Sequence, residues 1–347
     1  MPNTEDYAIL LGINHYPGLS DLEGPENDVA EFARWLVAPD GGDLDPNHVE
    51  EILSSKFPRV VDPNDANPTE RALIRALDRL CRDPQRNWNE RVGRRLYLFL
   101  AGHGFTAGAS ISDPALFSAV AQNGDTAHIA GYQYACRIAN SGFFDEIVLV
   151  MDCCQDVLKA SQVLDPTWSP PDRRKSSQVK LLQAYGAPRG LKAFERKADP
   201  AGATHGIFTS VLMDALRTAL PDASGFVTGL TLKAQLLQIW GDRYKQATGY
   251  DPPVRPPDGE DIRLFRRDAA AGAAETSPVE FRLRAPVSPG DHVVVTQGSV
   301  AEPLHSIPLT ELHPLPLRAG LYKATLSETK RSSLFEVVGS RPTEVEL

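Results

Sequence analysis

One histidine and one cysteine in this sequence stand where a nucleophilic pair would need them. The apolar run RRLYLFLAGHGF places His103 between two glycines, and the run EIVLVMDCC ends at Cys154. Cysteine attacks as the thiolate, yet an ordinary thiol with a pKa of about 8.5 is mostly protonated at neutral pH. An imidazole can accept that proton, and backbone amides at a glycine turn can hold an oxyanion. These residue types therefore predict acyl transfer to a thiol.

Both residues also have an ordinary structural explanation. A single histidine at a strand end is more often structural than catalytic, and cysteines outside disulfides are among the most buried residues. Cys153 directly precedes Cys154. Because successive strand residues face opposite ways, only one of these two thiols should face a cleft.

The elements around this pair alternate between strand and helix. Apolar runs typical of buried strands occur at 7–13, 49–53, 96–101, 146–154 and 179–184, and helical spacing occurs at 25–37, 69–82, 131–139, 208–220 and 231–248. Such alternation predicts an α/β fold, with a mostly parallel sheet between two helical layers and right-handed crossovers. Reactive groups in these sheets lie at the carboxyl ends of the strands, where His103 and Cys154 both fall.

The remainder of the chain predicts a second, smaller domain. We expect one domain over residues 1–266, a linker of small residues over 267–278, and an all-β module over 279–347. Short alternating runs separated by Pro and Gly indicate the β module, which is near the lower size limit for independent folding.

Composition excludes several partners. A formal charge of −9 argues against nucleic acid or an anionic membrane, because both require a basic face. The amino terminus is acidic where a signal peptide would be basic, and no apolar run reaches 18 residues, so we expect a cytoplasmic protein. The four cysteines have neither metal-ligand spacing nor a disulfide framework, so we expect reduced thiols and no metal or cofactor.

Four motifs, taken in order, resemble the caspase-like cysteine peptidases of clan CD, family C14, in the bacterial metacaspase or orthocaspase branch. They are YAILLGINHYPGLSDLEGPENDVAEFARWL, AGHG, MDCC and HGIFTSVLMDAL. The resemblance spans about Tyr7 to Leu264 and implies a caspase-like three-layer αβα sandwich. Cys154 lies 51 residues after His103, against about 50 in caspases. The carboxyl-terminal module resembles small Ig-like or PEGA-like β domains only in general character.

The resemblance assigns roles to individual residues. It implies that His103 is the base and Cys154 the nucleophile, which leaves Cys153 as a buried thiol. It also implies that the backbone amides of Gly104 and Cys154 bind the oxyanion.

The family's acidic pocket for a basic side chain falls on Asp28 and Asp152. Two carboxylates in one pocket favour a guanidinium or ammonium, so cleavage after Arg or Lys is expected. Asp28 has an alternative role, since an aspartate in the first turn of a helix interacts favourably with the helix dipole. The sequence departs from the family at Ala101, where a serine is usual, and at Gln155 and Asp156, which replace an HSG sequence.

A long segment over residues 155–178 is rich in Ser, Asp and Pro and predicts an exposed loop. Loops longer than about 12–15 residues inside a domain are usually functional or disordered. Its basic run, Arg173, Arg174 and Lys175, is either a solvated stretch or a processing site.

The resemblance thus implies a cysteine endopeptidase whose substrate is a protein or peptide with a basic residue before the cleaved bond. Cleavage in the 155–178 loop, by the protein itself or by an upstream protease, would activate a zymogen. We expect no calcium requirement, and bacterial relatives suggest a defence or cell-death pathway. The alternative is a catalytically weak caspase-like scaffold that binds partners through its β domain.

Overall fold

A six-stranded sheet lies at the centre of residues 1–266, one of two compact units into which the chain divides; residues 267–347 form the other. The computed structural model describes residues 2–108, 114–159, 161–173, 179–197, 202–222, 224–267, 276–284, 287–288, 290–297, 305–318, 320–337 and 343–347.

The strands of the first unit are β1 (Asp6–Gly12), β2 (Val49–Leu53), β3 (Arg95–Ala101), β4 (Gly104–Ala107), β5 (Ala115–Phe117), β6 (His128–Ile129), β7 (Glu146–Asp152), β8 (Asp156–Leu158), β9 (Lys180–Tyr185), β10 (Glu195–Lys197), β11 (Thr204–Gly206), β12 (Phe226–Thr228), β13 (Val254–Arg255) and β14 (Arg263–Arg266). Its helices are α1 (Pro25–Val37), α2 (Glu70–Cys81), α3 (Gly131–Ser141), α4 (Ile207–Thr218), α5 (Gly229–Arg243) and α6 (Lys245–Thr248).

The central sheet has the strand order β13-β9-β7-β3-β1-β2. Its pairings are parallel except for β13, which pairs antiparallel with β9. Helices α1, α4 and α5 contribute to the core on one face, and α2 and α3 to the core on the other. The predicted mostly parallel sheet between two helical layers is confirmed.

Strand alternation decides which side chains face which helical layer. In β7, Val148 and Val150 pack with the α1, α4 and α5 core, while Leu149 and Met151 pack with the α2 and α3 core. Because the period of a strand is two residues, Asp152 continues the Val148 series on the α1 side.

One expectation about local structure was wrong. Residues 231–248 do not form one helix: α5 ends at Arg243, and α6 begins at Lys245. Tyr244 between them has φ −128° and ψ −22°, outside the usual helical range.

The described part of the segment 155–178 includes exposed residues, a short strand and one buried aromatic side chain. Strand β8 lies within it and pairs with β4. Trp168 is buried, and its Nε1 donates to Asp78 Oδ1 at 3.1 Å. The indole also packs against Trp88 and Phe143, so the segment is anchored at this point.

Strand β13 forms one edge of the central sheet with only two residues. Positions 252, 253, 256 and 257 on either side of it are prolines. The N–H of Tyr185 donates to the carbonyl of Pro253 at 2.9 Å, which extends the pairing with β9 by one hydrogen bond.

The second unit contains two small sheets. Its strands are β15 (Thr276–Arg282), β16 (His292–Gln297), β17 (His305–Pro308), β18 (Leu315–Arg318), β19 (Gly320–Leu326), β20 (Ser332–Val337) and β21 (Thr343–Glu346). The orders are β18-β15-β21 and β17-β16-β19-β20, with antiparallel pairing except between β15 and β21. One hydrophobic cluster joins them, which confirms a small all-β module.

The expected linker lies at the start of this unit. Strand β15 begins at Thr276, within residues 267–278, and residues 268–275 lie outside the described part of the chain. Over the described ranges, no helix has the length and apolar character needed to cross a membrane.

Candidate active site

Strands β3 and β7 bring the histidine and cysteine turns to the same edge of the sheet. Ala101 pairs with Asp152 at the end of these two strands, and the N–H of Gly102 donates to the carbonyl of Asp152 at 3.2 Å. His103 and Cys154 follow directly, and both line one open cleft of about 850 Å³. Parallel pairing in register therefore explains why residues so distant in sequence share a cleft.

The His103 ring is oriented by the loop after β1. Its Nε2 lies 2.8 Å from the carbonyl oxygen of Ser20 and 3.3 Å from the Ser20 hydroxyl. A carbonyl oxygen can only accept, so Nε2 carries the proton in this contact. In the neutral imidazole, Nδ1 is then the nitrogen with an available lone pair.

The backbone of the histidine turn is held by Tyr16. The N–H of His103 donates to the Tyr16 hydroxyl at 3.1 Å, and that hydroxyl donates to the Phe117 carbonyl at 3.2 Å. Gly102 has φ +153°, and a side chain there would overlap the Tyr16 hydroxyl. The first glycine of AGHG is therefore required by this close approach.

The two adjacent thiols have different environments. Cys153 is buried in the α2 and α3 core, whereas Cys154 is half-buried and lines the cleft. Cys154 Sγ donates to the Ala193 carbonyl at 3.6 Å. Burial raises the pKa of the Cys154 thiol, and nearby Asp156 raises it further. The thiol is therefore mostly protonated at neutral pH and needs a base for activation.

Asp28 and Asp152 meet at the start of α4. The N–H of Gly206 donates to both carboxylate oxygens of Asp28, at 3.1 and 3.0 Å. Thr209 donates to Asp152 Oδ2 through its N–H at 3.0 Å and through its hydroxyl at 2.7 Å. Amides at a helix N-terminus stabilise negative charge, so this position suits two acidic groups.

The two aspartates are nevertheless costly to ionise together. Asp28 is 1% exposed and Asp152 is 7% exposed, and both line the cleft. Burial, together with the charge of Asp152, raises the pKa of Asp28 to about 7. Burial also raises the pKa of Asp152, to about 6. An incoming cation would stabilise both carboxylates in their ionised form.

Two further residues at this site were not identified from the sequence. Glu195 lines the cleft, its Oε1 accepts from the N–H of Gly24 at 2.9 Å, and its charge helps to raise the pKa of Asp152. His205 Nδ1 lies 3.0 Å from Asp28 Oδ1. The sequence does not predict this contact, because the two residues are 177 positions apart in the chain.

Gln155, the residue directly after Cys154, has a structural role. Gln155 is buried, and its side-chain amide donates to the carbonyl of Ala187. Its N–H donates to the Leu191 carbonyl at 2.9 Å, and its carbonyl accepts from the N–H of Gly190 at 2.8 Å. The residue after Cys154 thereby holds the turn that leads to Ala193.

The basic run of the 155–178 segment is only partly described. The N–H of Arg173 donates to the Asn140 carbonyl at 2.8 Å. Its guanidinium donates to the Asn89 carbonyl and lies 5.8 Å from the centre of the Phe143 ring. Arg174 and Lys175 lie outside the described residues.

No group of three or more His, Cys, Asp and Glu side chains in the described part of the chain is arranged to hold a metal ion. None of the four cysteines forms a disulfide bond.

A parallel αβα sandwich with His103 and Cys154 in one cleft at the strand ends is the arrangement of a caspase-like peptidase domain. A family model described as the caspase domain of C14 peptidases matches residues 5–239, which is more than half of the chain, and the chain belongs to this family. No curated protein matches the sequence.

Proposed function

We propose that this protein is a cysteine endopeptidase of the metacaspase type that cleaves protein chains after Arg or Lys. The observation that carries the proposal is that one cleft contains His103, Cys154, Asp28 and Asp152. A nucleophile, a base and a cation-binding pocket are thus available to a single substrate.

The reaction begins with proton transfer from Cys154 to His103. The Ser20 carbonyl holds the Nε2–H of His103, so Nδ1 accepts the thiol proton. The thiolate attacks the carbonyl carbon of the substrate, and a C–S bond forms. When the C–N bond breaks, the imidazolium donates its proton to the leaving amine. Water then hydrolyses the thioester and regenerates the thiol.

Oxyanion stabilisation is assigned to the amides of Gly104 and Cys154. The glycine follows the base directly, and a Cβ at this position would approach Cys153 Sγ to 2.7 Å. This close approach supports a fixed position of the amide relative to the nucleophile, which is what oxyanion stabilisation requires.

The preference for basic residues rests on the acidic end of the cleft. Asp28 and Asp152 are buried and line the cleft with Gly206, and the more exposed Glu195 adds a third carboxylate. A guanidinium placed there gains Coulomb attraction and charge-assisted hydrogen bonds. It also offsets the repulsion between the carboxylates.

The test compares wild type, Cys154→Ala and Cys153→Ala on matched peptides with Arg, Lys, Leu or Asp before the cleaved bond. Wild type and Cys153→Ala should cleave the Arg and Lys peptides, and Cys154→Ala should not. Equal turnover by wild type and Cys154→Ala would exclude the proposed nucleophile. No turnover by any variant, even after cleavage within residues 155–178, would favour the catalytically weak scaffold instead.

Regulation by cleavage within residues 155–178 is part of the proposal. The expected processing sites are Arg173, Arg174 and Lys175, of which Arg173 donates to the carbonyls of Asn140 and Asn89. Mass spectrometry of the incubated protein tests this: cuts that are absent from Cys154→Ala indicate self-processing. Cuts that need a second protease indicate an upstream activator.

Three further expectations from the sequence accompany this proposal. They are a cytoplasmic location, activity without calcium, and a role in bacterial defence or cell death. Assays with calcium and with a chelator address the second, and equal activity in both is expected.

A further inference from the structure

We propose that His205 is a positioning residue for substrate recognition, which fixes the orientation of Asp28 in the pocket without touching the substrate. This inference rests on the basic-residue pocket proposed above and assigns it a residue from a different strand.

The contacts of Asp28 carry the proposal. His205 Nδ1 is 3.0 Å from Asp28 Oδ1, and the next residue, Gly206, donates its N–H to both carboxylate oxygens. Two consecutive residues of β11 therefore fix the plane of one carboxylate. Asp28 and Gly206 line the cleft, whereas His205 is not among the described residues that line it. Its effect on a ligand must pass through Asp28.

The charges around Asp28 make a cationic neighbour valuable. Among the described residues, the other titratable or charged groups near the pair are Asp152 of β7, Glu195 of β10, Glu31 and Arg34 of α1, and Arg217 of α4. Glu31 is 3.6 Å from His205 Nδ1 and also pairs with Arg217 at 2.7 Å. Among the described side chains, His205 is thus the basic group that directly contacts Asp28.

The contact also affects protonation. Burial raises the pKa of Asp28, while the hydrogen bond from His205 lowers it. The same hydrogen bond raises the pKa of His205. Without His205, Asp28 would take up a proton at a higher pH, and a protonated carboxyl group attracts a cation only weakly.

The experiment measures kcat and KM for an Arg peptide from pH 5.5 to 8.5 in wild type, His205→Ala and His205→Asn. Asparagine places an N–H donor where Nδ1 of histidine lies but carries no charge. His313→Ala is the matched control, because His313 is exposed in the second unit.

We expect His205→Ala to raise KM about tenfold or more, as for loss of a hydrogen bond to a charged group, with kcat within about twofold. The fall in kcat/KM at low pH should begin at a higher pH than in wild type. His205→Asn should recover most of the KM at pH 8, and His313→Ala should match wild type.

Three results would overturn the proposal. One is an unchanged KM and pH profile in His205→Ala while wild type cleaves the Arg peptide normally. Another is a loss of kcat at constant KM. The third is a lower melting temperature in both His205→Ala and His205→Asn, together with equal losses of kcat/KM on Arg and Leu peptides. That result would indicate that His205 has a structural role. If wild type itself fails to cleave Arg or Lys peptides, the proposed function fails and this inference fails with it.

Discussion

Gly104 lies directly against the backbone of Cys154. A Cβ on Gly104 would come 2.8 Å from the Cys154 carbonyl oxygen, closer than real Cβ contacts allow. Strand β4 therefore begins immediately after the histidine and runs past the nucleophile at a distance only glycine permits. The turn that carries the base and the turn that carries the thiol are packed as one unit.

Gly104→Ala should therefore lower kcat by about 100-fold, because a shifted amide can no longer stabilise the oxyanion. Gly241→Ala is the matched control: Gly241 lies in α5, and no atom lies within 4 Å of a Cβ there. That control should keep full activity and gain up to about 1 kcal/mol of stability. Wild-type kcat in Gly104→Ala would contradict the assigned role.

His103→Ala should reduce kcat by about 10²- to 10⁴-fold with little change in KM, as expected for loss of a general acid and base. Ser20→Ala should remain close to wild type, because the backbone carbonyl of Ser20 is the nearer contact with the ring. Steady-state kinetics on an Arg peptide distinguish the two variants. If Ser20→Ala were as inactive as His103→Ala, the hydroxyl would be the orienting group.

Asp152→Asn should raise KM for Arg and Lys peptides much more than Glu195→Gln does. Asp152 is buried and bound to Thr209, so loss of its charge opposite a buried guanidinium should raise KM about 100-fold or more. Glu195 is exposed, and its loss should raise KM only about two- to fivefold. KM is measured with Arg and Lys peptides. Similar KM values for the two variants would contradict the prediction, because they would show that both carboxylates contribute equally to binding the basic side chain.

The value of kcat/KM for Arg peptides should fall as the pH is lowered from 8 to 5. Asp28, with a pKa of about 7, and Asp152, with a pKa of about 6, take up protons in this range and lose their attraction for a cation. The fall should appear mainly in KM. If kcat/KM stays constant down to pH 5, both carboxylates remain ionised over this pH range.

Protonation of Asp28 should weaken substrate binding but stabilise the folded protein. The pKa of Asp28 is higher in the folded protein than in the unfolded chain, so the folded state binds more protons between about pH 4 and 7. Stability contributed by this group is present at low pH and is lost as the pH rises through about 7. Asp28→Asn should therefore melt a few degrees above wild type at pH 8 and close to it near pH 4. A lower melting temperature at pH 8 would show that the carboxylate stabilises the fold.

The residues of this site that lie at the ends of apolar strands were predictable from the sequence. Apolar runs identified β3 and β7, and parallel pairing then placed His103 and Cys154 at one edge of the sheet. The hairpin of β10 and β11 was not predictable in the same way, since β10 is fully exposed and has no apolar pattern. Glu195 reaches the cleft, and His205 reaches Asp28, because this hairpin packs next to α1, a contact between segments distant in sequence.

Local composition was also misleading where tertiary packing decides the structure. The Ser- and Pro-rich segment after Gln155 resembles an exposed loop, yet Trp168 inserts into the α2 and α3 core and anchors it. A single aromatic residue in a polar stretch carries little periodic signal. Its burial depends on a cavity formed by residues elsewhere in the chain.

The short edge strand β13 also bears on how copies of this protein meet. An open strand edge is a template on which another chain can add hydrogen bonds and extend the sheet. Four of the six residues from 252 to 257 are prolines, which have no N–H to offer. The sheet that carries the candidate active site is thus protected at this edge from joining a second sheet, and from the aggregation that such joining begins.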